Sequence, residues 1–288
     1  MISAVSLSRG LWNLSSPVSN FQSLRDAIAL LWKNRNLCRE LVRRELGAQF
    51  AGQALGPFWI IGHPMMLFCV YIFVFVVVFK TRIAESQEMP RDYTTYILSG
   101  LAPWLFVQHA LVRGANALIG QASLVKQVVF PVEVLPFAAV VTSLVTLAVG
   151  LTTLTAYSLF FGDGLPWTYI LLPFVVGMHV MLMSGIAFLL AGITPFFRDV
   201  KDIIQVMTIV GVYIIPAFYL PQWVPGMIRV LLYFNPFSYV IWVYQDVLYF
   251  GAFNHPVAWI VFLICSLVSL ALGYRSFRAV KMLVANVI

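Results

Sequence analysis

The chain has 288 residues, 61% of them hydrophobic and only 10% charged, and its 18 Lys and Arg against 11 Asp and Glu leave a net charge of +7. Mean hydropathy is +0.91. A soluble domain carries roughly 25% charged residues, so this composition excludes a soluble enzyme and describes an integral membrane protein with room for about six spans of ~20 residues. No polar stretch is long enough to build a separate soluble domain. The basic excess fits loops facing anionic lipid, and no nucleic-acid partner is expected. Cys38, Cys69 and Cys265 form neither a disulfide framework nor a metal spacing.

Residues 1–20 are rich in Ser, Asn and Pro and are expected to be a flexible N-terminus, without the apolar core of a cleavable signal. Residues 21–50 are amphipathic. Phe21, Leu24, Ile28, Leu31 and Trp32 recur at helical steps, and then Leu37, Leu41, Val42 and Leu46 oppose Arg39, Arg43 and Arg44. An apolar face against an arginine face predicts a helix lying in the membrane interface. The joint Leu55-Gly56-Pro57 then opens an apolar run through Phe79 with no Asp, Glu, Lys or Arg in it, only His63. Residues 51–288 read as a six-span domain, with spans at about 57–79, 95–112, 134–161, 165–193, 203–219 and 257–274. Between the last two, residues 220–256 are apolar and aromatic but broken by Pro221, Pro225, Gly226, Asn235-Pro236, Asp246 and Gly251. Pieces of half length are expected to be re-entrant or interfacial rather than spanning. With the N-terminus inside, only Lys80, Arg82, Arg91 and Arg229 of the 18 basic residues fall outside. The positive-inside rule therefore places both termini in the cytoplasm.

The spans carry essentially no Asp, Glu or Arg at depth, which argues against an ion-coupled transporter. There is no phosphate-binding Gly-rich loop with a Lys, so the chain is not expected to hydrolyse ATP, and the energy source lies outside it. The histidines His63, His109, His179 and His255 are scattered, with no carboxylate or Cys at a useful spacing. A membrane-embedded sugar transferase would need acidic residues gathered at one membrane face, whereas Glu85, Glu88, Asp92, Asp163 and Asp246 are dispersed.

Three stretches remain as candidate sites. Residues 118–131, with Leu124, Lys126, Gln127, Phe130 and Pro131, are patterned enough for a short helix that docks into a partner; the alternative is a structured turn. Arg198 and Asp199 sit in a charged cluster that would contact the same partner, or be a solvated turn with an intrahelical ion pair. Arg39, Arg43 and Arg44 would meet either the headgroup of a substrate lipid or bulk anionic lipid. Tryptophans at span ends read as an interfacial belt, with a minority lining a pathway.

Three segments together resemble the membrane subunit of ABC exporters for O-antigen, teichoic acid and related lipid-linked polysaccharides. They are Leu41-Val42-Arg43-Arg44-Glu45 through Leu55-Gly56-Pro57-Phe58-Trp59; Leu124-Val125-Lys126 with Phe130-Pro131; and Phe197-Arg198-Asp199 leading to Ile215-Pro216-Ala217-Phe218-Tyr219, Val224-Pro225 and Asn235-Pro236. The resemblance implies an all-α homodimer of six-span subunits in the inner membrane, above two separate ATPase subunits that hold the ATP and magnesium, with no cofactor on this chain. It implies that 118–131 is a coupling helix and that 21–50 is an interfacial helix at the cytoplasmic face. It also implies that Pro221, Trp223, Pro225, Asn235 and Pro236 belong to re-entrant gate helices on the outer side. Two positions depart from the family's pattern: His63 precedes Pro64 where Glu is common, and Gln245-Asp246 stands where an Arg is common. The expected activity is export of a polyprenyl-pyrophosphate-linked polysaccharide, with no covalent chemistry. The rival readings are an exporter subunit for a drug or another lipid and, in another class, the sugar transferase.

Overall fold

The computed structural model describes residues 17–49, 52–78, 91–127, 130–161 and 164–287. Every regular element among them is helical. Two amphipathic helices come first, α1 (Pro17–Lys33) and α2 (Arg35–Gln49). α1 thus takes in residues 17–20, which composition had assigned to the flexible N-terminus. A short 3-10 turn, Gly56–Phe58, leads into α3 (Trp59–Ile72), which continues as a π-helical stretch, Phe73–Val78. Then follow α4 (Tyr93–Asn116), the six-residue α5 (Ala122–Gln127), α6 (Val134–Phe160) and α7 (Leu172–Ile193). After them come α8 (Asp199–Gly211), α9 (Gly226–Phe234), α10 (Pro236–Gln245) and α11 (Pro256–Val287).

Five helical stretches among the described residues are long and apolar enough to cross a membrane: Gly56–Val77, Tyr93–Asn116, Val134–Phe160, Trp167–Ile193 and Pro256–Lys281. The protein is thus a multi-pass membrane protein. They lie on five of the six expected spans. The expected span 203–219 is different. Its helix, α8, has 13 residues, about 20 Å at 1.5 Å per residue, and gives way after Gly211 to turns around Pro216. A proline has no N–H to donate and disfavours a helical residue before it.

α4 is the centre of the bundle: 83% of its apolar window is buried, against 17% for the first span. The chain from 199 to 219 runs antiparallel beside it. Gly211 lies against the Trp104 ring and Ala217 against Gly100. The single proton of the Tyr96 hydroxyl is shared between the carbonyls of Tyr219 (3.1 Å) and Pro216 (3.3 Å), and Tyr93 donates to that of Phe218. This segment therefore covers the Tyr93–Trp104 half of α4 although its helix is short. α9 and α10 then form a hairpin whose tip, at Asn235-Pro236, lies near Trp104, where the Phe237 ring is 5.8 Å away. α10 climbs back along α4, with Ile241 at Gly100.

One end of the bundle is aromatic. There Tyr93, Tyr96, Ile97, Leu220 and Tyr249 form a small cluster, and Arg91 donates to the Gly164 carbonyl. Asp92 caps α4, accepting from the Thr95 N–H at 3.0 Å. The other end is basic. There α1 and α2 pack on the ends of α6, α7 and α11 through Ala27, Cys38, Leu41, Leu135, Phe188 and Phe277. α7 and α11 approach more closely than any side chain would permit at two points. A Cβ on Gly185 would fall 2.1 Å from the Ser269 carbonyl carbon, and one on Gly273 would fall 2.0 Å from the Gly185 oxygen. Small residues at facing positions are how helices close up where no hydrophobic force drives them together.

Candidate functional site

The basic end holds all three candidate stretches. The chain between α4 and α6 makes a 3-10 turn, Ile119–Gln121, and then α5. Leu118 is buried, and Leu124, Val125 and Phe130 pack half-buried onto the same cluster as α2. Lys126 points outward and is exposed. Gln127 closes α5, and Pro131 follows residues 128–129, which lie outside the described residues. The segment is thus a docked helical elbow with a polar outer face. Glu133, just after it, is 3% exposed and accepts from Lys281 Nζ of α11 at 2.6 Å. The elbow is tied to the last helix through a buried carboxylate.

Arg198 and Asp199 stand at the start of α8 and are exposed. Asp199 and Asp202 occupy the first turn, where the helix dipole favours negative charge. Among the described residues no hydrogen bond or ion pair links them to the elbow, and the intrahelical pair is not formed.

The three arginines do not converge. Arg39 lines a 470 Å³ apolar groove beneath α1 and α2. Arg44 rims a separate 380 Å³ pocket shared with Glu45, Gln49, Arg113 and the elbow residues Gly120, Gln121 and Leu124. Arg43 is exposed and lines neither. Helix geometry explains why Arg39 and Arg44 part: five residues apart on α2, they lie roughly 140° from each other around the axis. Around that second pocket is a polar constellation the sequence did not disclose. Arg113 donates to Glu45 at 2.6 Å and to Gln49 at 2.8 Å, joining α4 to α2. Beside it, a further cavity is lined by His63, Pro64, His109 and Thr146, with His109 Nδ1 and Thr146 Oγ1 2.9 Å apart. His63, one of the two departures from the family's pattern, thus faces this polar corner. Cys38, buried under α2, has its thiol pKa raised by burial and behaves as an apolar core group.

The aromatic end carries the residues expected at a gate. Pro221 and Trp223 form a 3-10 turn, and the Trp223 ring lies 6.1 Å from that of Tyr93. Pro225 precedes α9, and Arg229 donates to the carbonyls of Gln222 (3.0 Å) and Val224 (3.1 Å), clamping the turn. Asn235 caps α10 by accepting from the Phe237 N–H at 3.0 Å, with Pro236 at the first helical position. At the other end of α10, Gln245 donates to the Pro216 carbonyl at 2.8 Å. The next residue corrects one expectation: His255 does have a carboxylate. Asp246, buried to 1% exposure, accepts from His255 N (3.0 Å) and Trp259 Nε1 (3.0 Å), and its Oδ1 lies 2.8 Å from His255 Nδ1. Gly251 makes this possible. At φ 67 it takes the left-handed conformation that turns the chain back.

Residues 36–249 match the family model described as ABC-2 type transporter. The chain belongs to the ABC-2 type transporter family. The match runs from α2 into the π-helical turn Asp246–Phe250 that follows α10. The chain is also similar to the O-antigen export system permease protein RfbA of Myxococcus xanthus, at 28% identity over 221 residues, 76% of this chain and 82% of that one. Two RfbA permeases of Klebsiella pneumoniae are 21% and 22% identical, covering 86% and 81% of this chain and 93% and 88% of their own. An ABC-2 permease is a transport subunit without a catalytic domain and works with a partner ATPase subunit.

Proposed function

We propose that this permease is the membrane half of an ATP-driven exporter that moves a polyprenyl-pyrophosphate-linked polysaccharide, O-antigen-like, out of the cytoplasm. The observation that carries the reading is the similarity, over 76% to 86% of the chain, to permeases named for O-antigen export. In this reading both termini are cytoplasmic, so the basic end faces the cytoplasm and the aromatic end faces out. The segment 199–219 counts as the sixth crossing, supported by its run along α4. α9 and α10 form a re-entrant hairpin at the outer side, with Pro221, Trp223, Pro225, Asn235 and Pro236 shaping a gate.

ATP and magnesium belong to two partner ATPase subunits. The elbow 118–131 is their coupling helix: its apolar side is anchored in the bundle, and Lys126 is free to meet the partner. The tie from Glu133 to Lys281 would carry its movement into α11. Arg198 and Asp199 offer a second contact. A second copy of the chain completes the pathway, and the exposed apolar faces of α3 and α8 are the surfaces available to it. For the pyrophosphate headgroup, Arg44 with Arg113 gives the better-formed site, because they share one polar pocket.

Deleting the gene and labelling surface glycan tests the reading. Loss of surface polysaccharide with lipid-linked glycan accumulating inside is expected; unchanged surface glycan overturns it. Lys126→Glu is expected to uncouple partner ATPase activity from export. If export and ATPase stimulation both survive, the elbow is not the coupling element.

A further inference from the structure

Two apolar compartments lie side by side beneath α1 and α2. The first, 470 Å³, runs from Arg35 and Arg39 to Val180, Met181 and Ser184 of α7. The second, 490 Å³, has Arg25 at its edge and reaches Met181 and Leu267. Ile28, Trp32 and Met181 line both and form the ridge between them. Val180 to Ser184 lie about 14–20 Å from the Ile193 end of α7 at 1.5 Å per residue, close to the ~15 Å depth of one hydrocarbon leaflet.

The rim is cationic. No carboxylate lines either compartment. Among the described residues none pairs with Arg25, Arg35 or Arg39. The Arg35 guanidinium instead lies over the Trp32 ring, 5.3 Å from its centroid. Two adjoining apolar compartments, both edged by arginine, match a molecule with two hydrocarbon chains and one anionic head. A polyprenyl phosphate has a single chain and would leave one compartment empty.

We propose that this groove is a binding site for one anionic diacyl phospholipid, its chains in the two compartments and its phosphate at Arg35 and Arg39, with Arg25 alongside. The lipid would cement α1 and α2 to α6, α7 and α11. The site is distinct from the pocket at Arg44 and Arg113 and does not depend on which cargo the permease moves.

Trp32, 71% exposed on the ridge, supplies the probe. The full chain is placed in phosphatidylcholine nanodiscs containing acyl-brominated phosphatidylglycerol or acyl-brominated phosphatidylcholine. Quenching of Trp32 is read as the difference between wild type and Trp32→Phe. Half-quenching is expected at a far lower fraction of phosphatidylglycerol than of phosphatidylcholine. Each arginine near an anionic lipid contributes about five-fold, so the exposed double variant Arg35→Gln/Arg39→Gln is expected to lose a preference of roughly 25-fold. Val141→Phe, which narrows the first compartment and leaves the arginines intact, is expected to weaken phosphatidylglycerol quenching. Equal quenching by the two lipids overturns the proposal. So does a preference that survives the arginine variant, or one untouched by Val141→Phe, which would reduce the effect to surface charge. Displacement of phosphatidylglycerol by equimolar polyprenyl phosphate also overturns it, and would assign the groove to the transported lipid.

Discussion

Gly185→Ala adds one methyl group where α7 meets α11. The new Cβ would lie 2.1 Å from the Ser269 carbonyl carbon and 2.2 Å from its oxygen. Carbon pairs rest at about 3.5–4.0 Å, so the helices must part by about 1.5 Å. Both nearest atoms are backbone, so no rotamer change relieves the overlap. The separation also stretches the hydrogen bond from Ser269 Oγ to the Leu182 carbonyl, now 2.9 Å, beyond useful length. That bond contributes about 0.6 kcal/mol and at most ~1.7 between membrane helices, and overpacking adds about 1–3 kcal/mol. A loss of about 2–4 kcal/mol corresponds to a Tm lower by roughly 5–10 °C. The assay is heating in detergent followed by the monodisperse fraction on size exclusion. Gly177→Ala on the same helix meets nothing within 4 Å and is expected to be neutral or slightly stabilising. If Gly185→Ala melts with the wild type, the close helix contact is not a stabilising one and the reasoning fails.

Lys281→Met leaves the Glu133 carboxylate buried without its cation and is expected to cost about 3–5 kcal/mol. Adding Glu133→Gln should recover most of the lost melting temperature. Asp246→Asn replaces a carboxylate that meets His255 N, Trp259 Nε1 and His255 Nδ1 with an amide that must turn its N–H₂ toward one of those nitrogens. It is expected to cost about 1–3 kcal/mol and to speed amide exchange over residues 255–259. A double-mutant cycle of Arg113→Ala and Glu45→Ala is expected to give a coupling of about 1 kcal/mol, because the pair is partly exposed.

Apolar run length made five helices readable, because a span must be long and uncharged whatever surrounds it. The same signal does not reveal that the helix within 203–219 stops at Gly211. The residues of that stretch are apolar apart from Gln205 and Thr208, but Pro216 unwinds the second half, and donors from Tyr96 and Gln245 make that irregular backbone tolerable. The break at Asn235-Pro236 was legible for the opposite reason, since both cap and proline are local signals. Polar partnerships were not legible. Glu45 and Arg113 are 68 positions apart, and Glu133 and Lys281 are 148 apart. No periodicity within a segment encodes such pairings. Asp246 and His255, nine apart across Gly251, were within reach of a local reading that weighed the turn between them. Arg39, Arg43 and Arg44 look like one cluster as a string and become two faces once wound into α2.

The carbonyl of Pro216 accepts from Tyr96 on α4 and from Gln245 at the end of α10. One oxygen therefore acts as a hinge pin for three segments that are far apart in the chain. The hairpin cannot swing away from α4 while the unwound stretch stays put without withdrawing one donor from that atom. Parting the hairpin from the unwound stretch breaks the Gln245 bond, while Tyr93 and Tyr96 still hold residues 216–219 to α4. The three segments shift as one body, or the hairpin parts alone.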